Sequence, residues 1–113
     1  MIHRTEIIIS DSFEAFHNWP DAPEEVLFLR SLHRHIFTVR VGIPVSHHHR
    51  QREFFIEKRK LAEVLLPFVG SESQTSCEMF AESIMGSIDG ARWVEVFEDG
   101  ENGARVEETE EDA

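Results

Sequence analysis

His33 and His35 stand two residues apart in Leu32-His33-Arg34-His35-Ile36-Phe37-Thr38-Val39-Arg40-Val41, a stretch whose β-branched and aromatic residues predict a strand. On a strand, side chains two apart share a face. His33 and His35 therefore project with Phe37, Val39 and Val41, while Arg34, Ile36, Thr38 and Arg40 face the other way. Two imidazoles on one rigid strand, a third ligand from elsewhere and an open fourth position make the usual pattern of a catalytic zinc site. A bare His-x-His is more often two polar residues on a half-exposed face. His17, after Phe13-Glu14-Ala15-Phe16, supplies a third imidazole if the intervening segment loops back.

Other clusters carry less. Ser46-His47-His48-His49-Arg50-Gln51-Arg52 holds three adjacent histidines, but neighbours point in different directions on any regular backbone, and an exposed polar loop is the simpler reading. Cys77 is the single cysteine, which excludes an intrachain disulfide and a cysteine-based zinc knuckle. A metal would rest on histidine and carboxylate.

Composition narrows the partners. The 113 residues hold 11 Lys plus Arg against 22 Asp plus Glu, a formal charge of −11, which argues against binding a phosphate backbone and so against nucleic acid. No apolar run reaches membrane-spanning length, and the N-terminus lacks the layout of a signal peptide, so no membrane partner and a cytoplasmic location are expected. One domain is predicted over residues 1–107, followed by an acidic, disordered tail over 108–113.

The elements that must position the histidines follow in order. Thr5-Glu6-Ile7-Ile8-Ile9-Ser10 predicts an opening strand that continues irregularly toward His17 and pairs with the His33 strand. Asn18 to Pro23 is turn-rich, and Glu24 to Leu29 is short helix or extended chain. Glu53 to Ile56 predicts a strand end leading into a helix whose Leu61, Val64, Leu65 and Phe68 fall on one face. Thr75-Ser76-Cys77-Glu78 offers a capping box, with Thr75 as N-cap, for a second helix burying Met79, Phe80, Ser83, Ile84 and Ser87 or Ile88. Ala91 to Glu98 and Ala104 to Glu107 predict a hairpin around Asp99-Gly100-Glu101-Asn102-Gly103.

The resulting order, β-β-α-α-β-β, is an α+β domain with a four-stranded antiparallel sheet carrying two helices on one face. The other face then needs cover, which predicts association of subunits.

The ordered set Phe16-His17, Leu32-His33-Arg34-His35, Thr75 to Ala81 and Val94-Glu95-Val96-Phe97-Glu98 resembles the 6-pyruvoyltetrahydropterin synthase and 6-carboxytetrahydropterin synthase family, over about residues 5 to 106. The resemblance implies the tunnelling fold, in which subunits join their sheets into a barrel as a trimer or hexamer. It implies Zn2+ held by His17, His33 and His35, and a substrate-binding role for Glu98 toward a pterin or purine-like ring. A carbon-oxygen lyase of the pterin synthase type would follow, with folate-like, biopterin or queuosine chemistry as its context. Glu78 reads better as a helix-capping residue.

Departures from the pattern put turnover in doubt. Where the family places a catalytic cysteine four residues before the first paired histidine, this chain has Leu29, which cannot act as a base. The family's Asp-His ahead of the second helix is absent from Val69 to Gln74, and its glycine between the two zinc histidines is Arg34. Three readings stay open. One is an enzyme with altered acid/base groups, drawn from zinc-bound water, Glu72, Cys77 or His47 to His49. The others are a non-catalytic pterin or deazapurine binder and a structural oligomer. A cupin-type barrel also uses His-x-His, but Val39 and Arg40 occupy the places of the glutamate it requires.

Overall fold

In the computed structural model, which describes residues 3–109, two long strands form the spine: β1 (Thr5–His17) and β2 (His33–Val45). They pair antiparallel along their whole length, from Thr5 opposite Val45 to His17 opposite His33. β1 runs unbroken to His17 because Ile9, Phe13 and Ala15 point into the core while Ser10, Ser12 and Glu14 alternate outward.

The remaining elements are α1 (Phe54–Leu65), β3 (Glu72–Ser73), α2 (Cys77–Met85), β4 (Trp93–Glu98) and β5 (Asn102–Glu107). The sheet order is β3-β1-β2-β4-β5. The expected four antiparallel strands are present as β1, β2, β4 and β5. A fifth, the two-residue β3, adds parallel to the end of β1, with Phe16 opposite Glu72 and His17 opposite Ser73. Residues Glu24–Arg30 form a distorted 3-10 segment with Val26 outside helical geometry, which settles the open choice there.

Both helices lie on one face, α1 against β1 and α2 against β4 and β5. Phe13, Phe37 and Phe80 meet beneath them with ring centroids 5.0 to 5.2 Å apart, and Val39, Val41, Val94 and Val96 complete a layer wholly removed from water. Burial on this scale is the main stabilising contribution.

Three sequence expectations change. Glu53 to Ile56 is not a strand end: Glu53 caps α1 by accepting the Phe55 N–H at 2.8 Å, and Phe54, Phe55 and Ile56 form its exposed first turn. α2 is capped by Ser76, whose hydroxyl accepts the Met79 N–H at 3.1 Å, rather than by Thr75. Phe80, Ile84 and Ile88 are buried as expected, with Cys77 and Ala81 beside them, but Met79 is 60% exposed and Ser83 lies in solvent. The acidic tail expected from Glu108 lies, from residue 110 on, outside the described residues; Glu108 itself donates its N–H to Arg92 O at 2.8 Å.

Candidate metal centre and its adjoining cleft

Antiparallel partners share a face, so the register alone aligns the site. His17 lies opposite His33, Phe13 opposite Phe37, and Phe37 opposite Glu98. All three histidines and Glu98 thus stand on the helix-covered face, where the sheet runs past the core. Phe37 closes the floor, its ring 5.2 Å from that of His17 and 5.7 Å from that of His35.

One candidate ligand atom from each of His17, His33 and His35 lies within 4.8 Å of the other two. The outer nitrogens are all engaged. His17 Nδ1 contacts the Thr75 carbonyl at 2.8 Å, His33 Nδ1 the Ser31 carbonyl at 2.8 Å, and His35 Nδ1 the Asp99 carboxylate at 2.7 Å. Since carbonyls only accept, His17 and His33 carry a proton on Nδ1, which leaves Nε2 as the free ligand atom. His33 Nε2 is buried and has no hydrogen-bond partner. A buried imidazole nitrogen without a partner, beside two others similarly oriented, fits a metal ligand set.

Glu98 Oε2 completes the cluster at 3.0 Å from His17 Nε2 and 3.7 Å from His35 Nε2. Asp99, at the start of the β4–β5 turn, has φ 52°, a left-handed conformation that aspartate tolerates, and Gly100 follows with φ 73°. The hydrogen bond from His35 and the Ile36 N–H hold the Asp99 carboxyl below its usual range, against a small opposing effect of desolvation.

A cleft of about 560 Å³ opens beside His17, His33 and Glu98, within the size range of small-molecule sites. Trp19, Leu29 and Met79 supply apolar wall, and Asn18, Gln74 and Asn102 supply amide groups. The main chain between β1 and β2 folds back to form this wall through the Trp19 N–H, which donates to Leu29 O at 2.7 Å. Cys77 also lines the cleft, but burial first, and then the charges of Glu98 and Glu78, push its thiol up to about 12. It is a thiol near neutrality, unsuited to act as a base.

Of the residues singled out in the sequence, His17, His33, His35 and Glu98 come together. His47, His48 and His49 do not join them. They sit in a separate loop, where His48 Nε2 contacts Thr5 Oγ1 at 2.9 Å and Gln51 Oε1 accepts the main-chain N–H groups of Ser46 and His47. Asp99 and the Ser31 and Thr75 carbonyls join the site only through the fold. Asp99 carried only a turn signal, and carbonyls carry no signal in residue type.

Comparison of the whole architecture identifies its class. Among solved structures, 6-pyruvoyl tetrahydropterin synthase from Caenorhabditis elegans superposes with a TM-score of 0.68 at 12% identity, covering 96% of this chain and 98% of that one. An uncharacterised protein from Wolinella succinogenes superposes with a TM-score of 0.69 at 16% identity, covering 96% of this chain and 100% of the other. The chain has the tunnelling fold. No protein-family model matches the sequence, and no curated protein matches it. The tunnelling fold accounts for the long hairpin and the helices confined to one sheet face. Among the described residues, no helix is long and apolar enough to cross a membrane.

Proposed function

We propose that the chain is a zinc-binding, pterin-synthase-like protein acting on a pterin or purine-derived substrate, with His17, His33 and His35 as metal ligands. The observation that carries this reading is the convergence of three imidazole nitrogens, one of them buried without a partner, at the wall of a ligand-sized cleft. Bound zinc would act there as a Lewis acid toward oxygen atoms of a substrate side chain. The chain's own groups bind and orient. Glu98 offers carboxylate acceptors to the N–H edge of an aminopyrimidine, and Trp19 and Met79 offer apolar surface to the ring. Purified protein should hold about one zinc per chain, and His33→Ala should abolish it. A metal-free wild-type preparation defeats the reading.

Binding without turnover is a second reading, favoured by a specific observation. Leu29 lines the cleft where the resembled family places a cysteine, and Cys77 is held as a thiol. Incubation with dihydroneopterin triphosphate separates the two: product at enzyme-like rates supports a lyase, and saturable binding alone supports a binder.

Assembly into a trimer or hexamer in the cytoplasm belongs to the same reading. Its support is the sheet face away from the helices, where Ile8 and Ile36 remain exposed. Sedimentation of the purified chain as a monomer at micromolar concentration would remove it.

A further inference from the structure

The cleft beside the histidines is short of positive charge. Its wall carries two carboxylates, Glu78 and Glu98, and among the described residues no lysine or arginine lines it. The cations borne by the neighbouring chain are engaged elsewhere. Arg30 Nε donates to Ala22 O at 2.7 Å, and Arg34 pairs with Glu14 at 2.6 Å on the outward parity of the sheet. A divalent ion on His17, His33 and His35 would bring two charges, which the two carboxylates cancel. Any neighbouring copy that closes the cleft adds a chain of formal charge −11.

One feature of the cleft does attract anions, the N-terminus of α2. Thr75, Ser76 and Cys77 bring that end of the helix to the wall, and main-chain N–H groups at a helix start carry partial positive charge. The chain answers that attraction itself. Ser76 Oγ accepts the Met79 N–H at 3.1 Å, and Glu78, exposed in the first turn, sets a full negative charge against the dipole.

We infer that the cleft takes a ring ligand free of phosphate, and that Glu78, standing where the α2 N-terminus would otherwise receive an anion, sets this preference. The ring class is that of the pterin-synthase-like reading above, on which the preference rests. A phosphorylated side chain brings several negative charges to a wall that offers none of the opposite sign from lysine or arginine, and like charges facing across a partly dry cleft weaken binding. The amides of Asn18, Gln74 and Asn102 suit the neutral N–H and C=O groups of an uncharged ring.

The test is calorimetric titration of the intact chain, in its native assembly, with dihydroneopterin and with dihydroneopterin triphosphate, a pair that shares ring and side chain and differs in the phosphates. Wild type should bind the triphosphate at least about tenfold more weakly at low salt, and added salt should narrow the gap. Glu78→Gln should shrink the gap about threefold, and Glu78→Lys should close or reverse it. Thermal melts confirm that each variant is folded, and Glu78→Gln, which keeps the shape of the side chain, decides the matter if Glu78→Lys unfolds. Triphosphate bound by wild type as tightly as dihydroneopterin overturns the preference and leaves the ring reading standing. An unchanged gap in folded Glu78→Gln overturns the role of Glu78. Binding of neither probe overturns the ring reading and the preference together, while zinc content of the same sample reports on the metal centre independently.

Discussion

His35 Nδ1 lies 2.7 Å from Asp99 Oδ2, while Asp99 Oδ1 accepts the Ile36 N–H at 2.9 Å, so one carboxylate fixes both the ring and the strand residue beside it. The Asp99 N–H returns to Ile36 O at 2.8 Å, which ties the β4–β5 turn to β2. His17 and His33 are oriented by main-chain carbonyls instead, so Asp99 is the one side chain that orients a candidate ligand through its outer nitrogen.

Asp99→Ala should therefore weaken zinc binding by about 10- to 100-fold, the usual effect of removing a partner behind a metal-bound imidazole. Asp99→Asn keeps an acceptor in the turn and removes the charge. It should leave the melting temperature close to wild type while still weakening the metal. Chelator competition and thermal melting on the same samples separate orientation of the ligand from stability of the turn.

Arg52 and Glu57 form an ionic contact on a buried carboxylate. Arg52 Nε and Nη2 reach the two oxygens of Glu57 at 3.1 and 3.0 Å, Glu57 is only 5% exposed, and Arg52 also donates to Asp89 O at 2.9 Å. Arg52→Ala should cost about 3 kcal/mol, because it strands a buried carboxylate with Lys60 as its remaining partner. The midpoint of urea unfolding measures it.

The same pair sets a pH dependence. Burial raises the Glu57 carboxyl, but hydrogen bonding and charge from Arg52, then Lys60, outweigh it and hold the group below its ordinary value of 4.5. A depressed acid stabilises the fold above its unfolded value and loses that contribution as pH falls through the folded one. Stability of the wild type should therefore drop below about pH 4.5 more steeply than that of Glu57→Gln. Unfolding midpoints between pH 5 and pH 3 check the difference.

Cys77 behaves in the opposite sense. With its thiol pushed up from 9.0 to about 12, the folded chain keeps the proton that the unfolded chain releases, so this group lowers stability as pH rises above 9.0. Native protein should resist iodoacetamide at pH 8, and denatured protein should react readily. Fast alkylation of the native chain would contradict the burial of this thiol.

Gly42 lies under the Trp93 ring. A Cβ there would collide with the ring, and Trp93 is further held by its Nε1 donating to Glu6 and by the Arg105 guanidinium 4.1 Å from the ring centroid. Gly42→Ala should displace the indole and cost about 2 kcal/mol. Near-ultraviolet circular dichroism and urea unfolding together report the shift.

Much of this arrangement is legible in the sequence because strand parity is a strong constraint. His33, His35 and Phe37 share a face by spacing, and the antiparallel register delivers His17 and Glu98 to it. Asp11 falls on the inward parity of β1 and interrupts its alternation, which hides the continuity of the strand in the sequence. Phe54-Phe55-Ile56 resembles a strand by residue type, yet the chain turns helical there because Glu53 caps the turn and Arg52 pairs with Glu57 one turn on. That pairing depends on tertiary packing that the run itself does not encode. The carbonyls that orient His17 and His33 belong to Thr75 and Ser31 through backbone position alone. Any residue could supply them.

His17 and His33 face each other at the last rung of the β1–β2 ladder, and residues 18–32 leave and return through that rung. An ion held there would work as a drawstring on the excursion that carries Trp19 and Leu29, fixing the neck of a loop whose closure otherwise costs chain entropy. Chelation should slacken this segment before any other, and protease nicks within 18–32 would be the first sign that the drawstring had been cut.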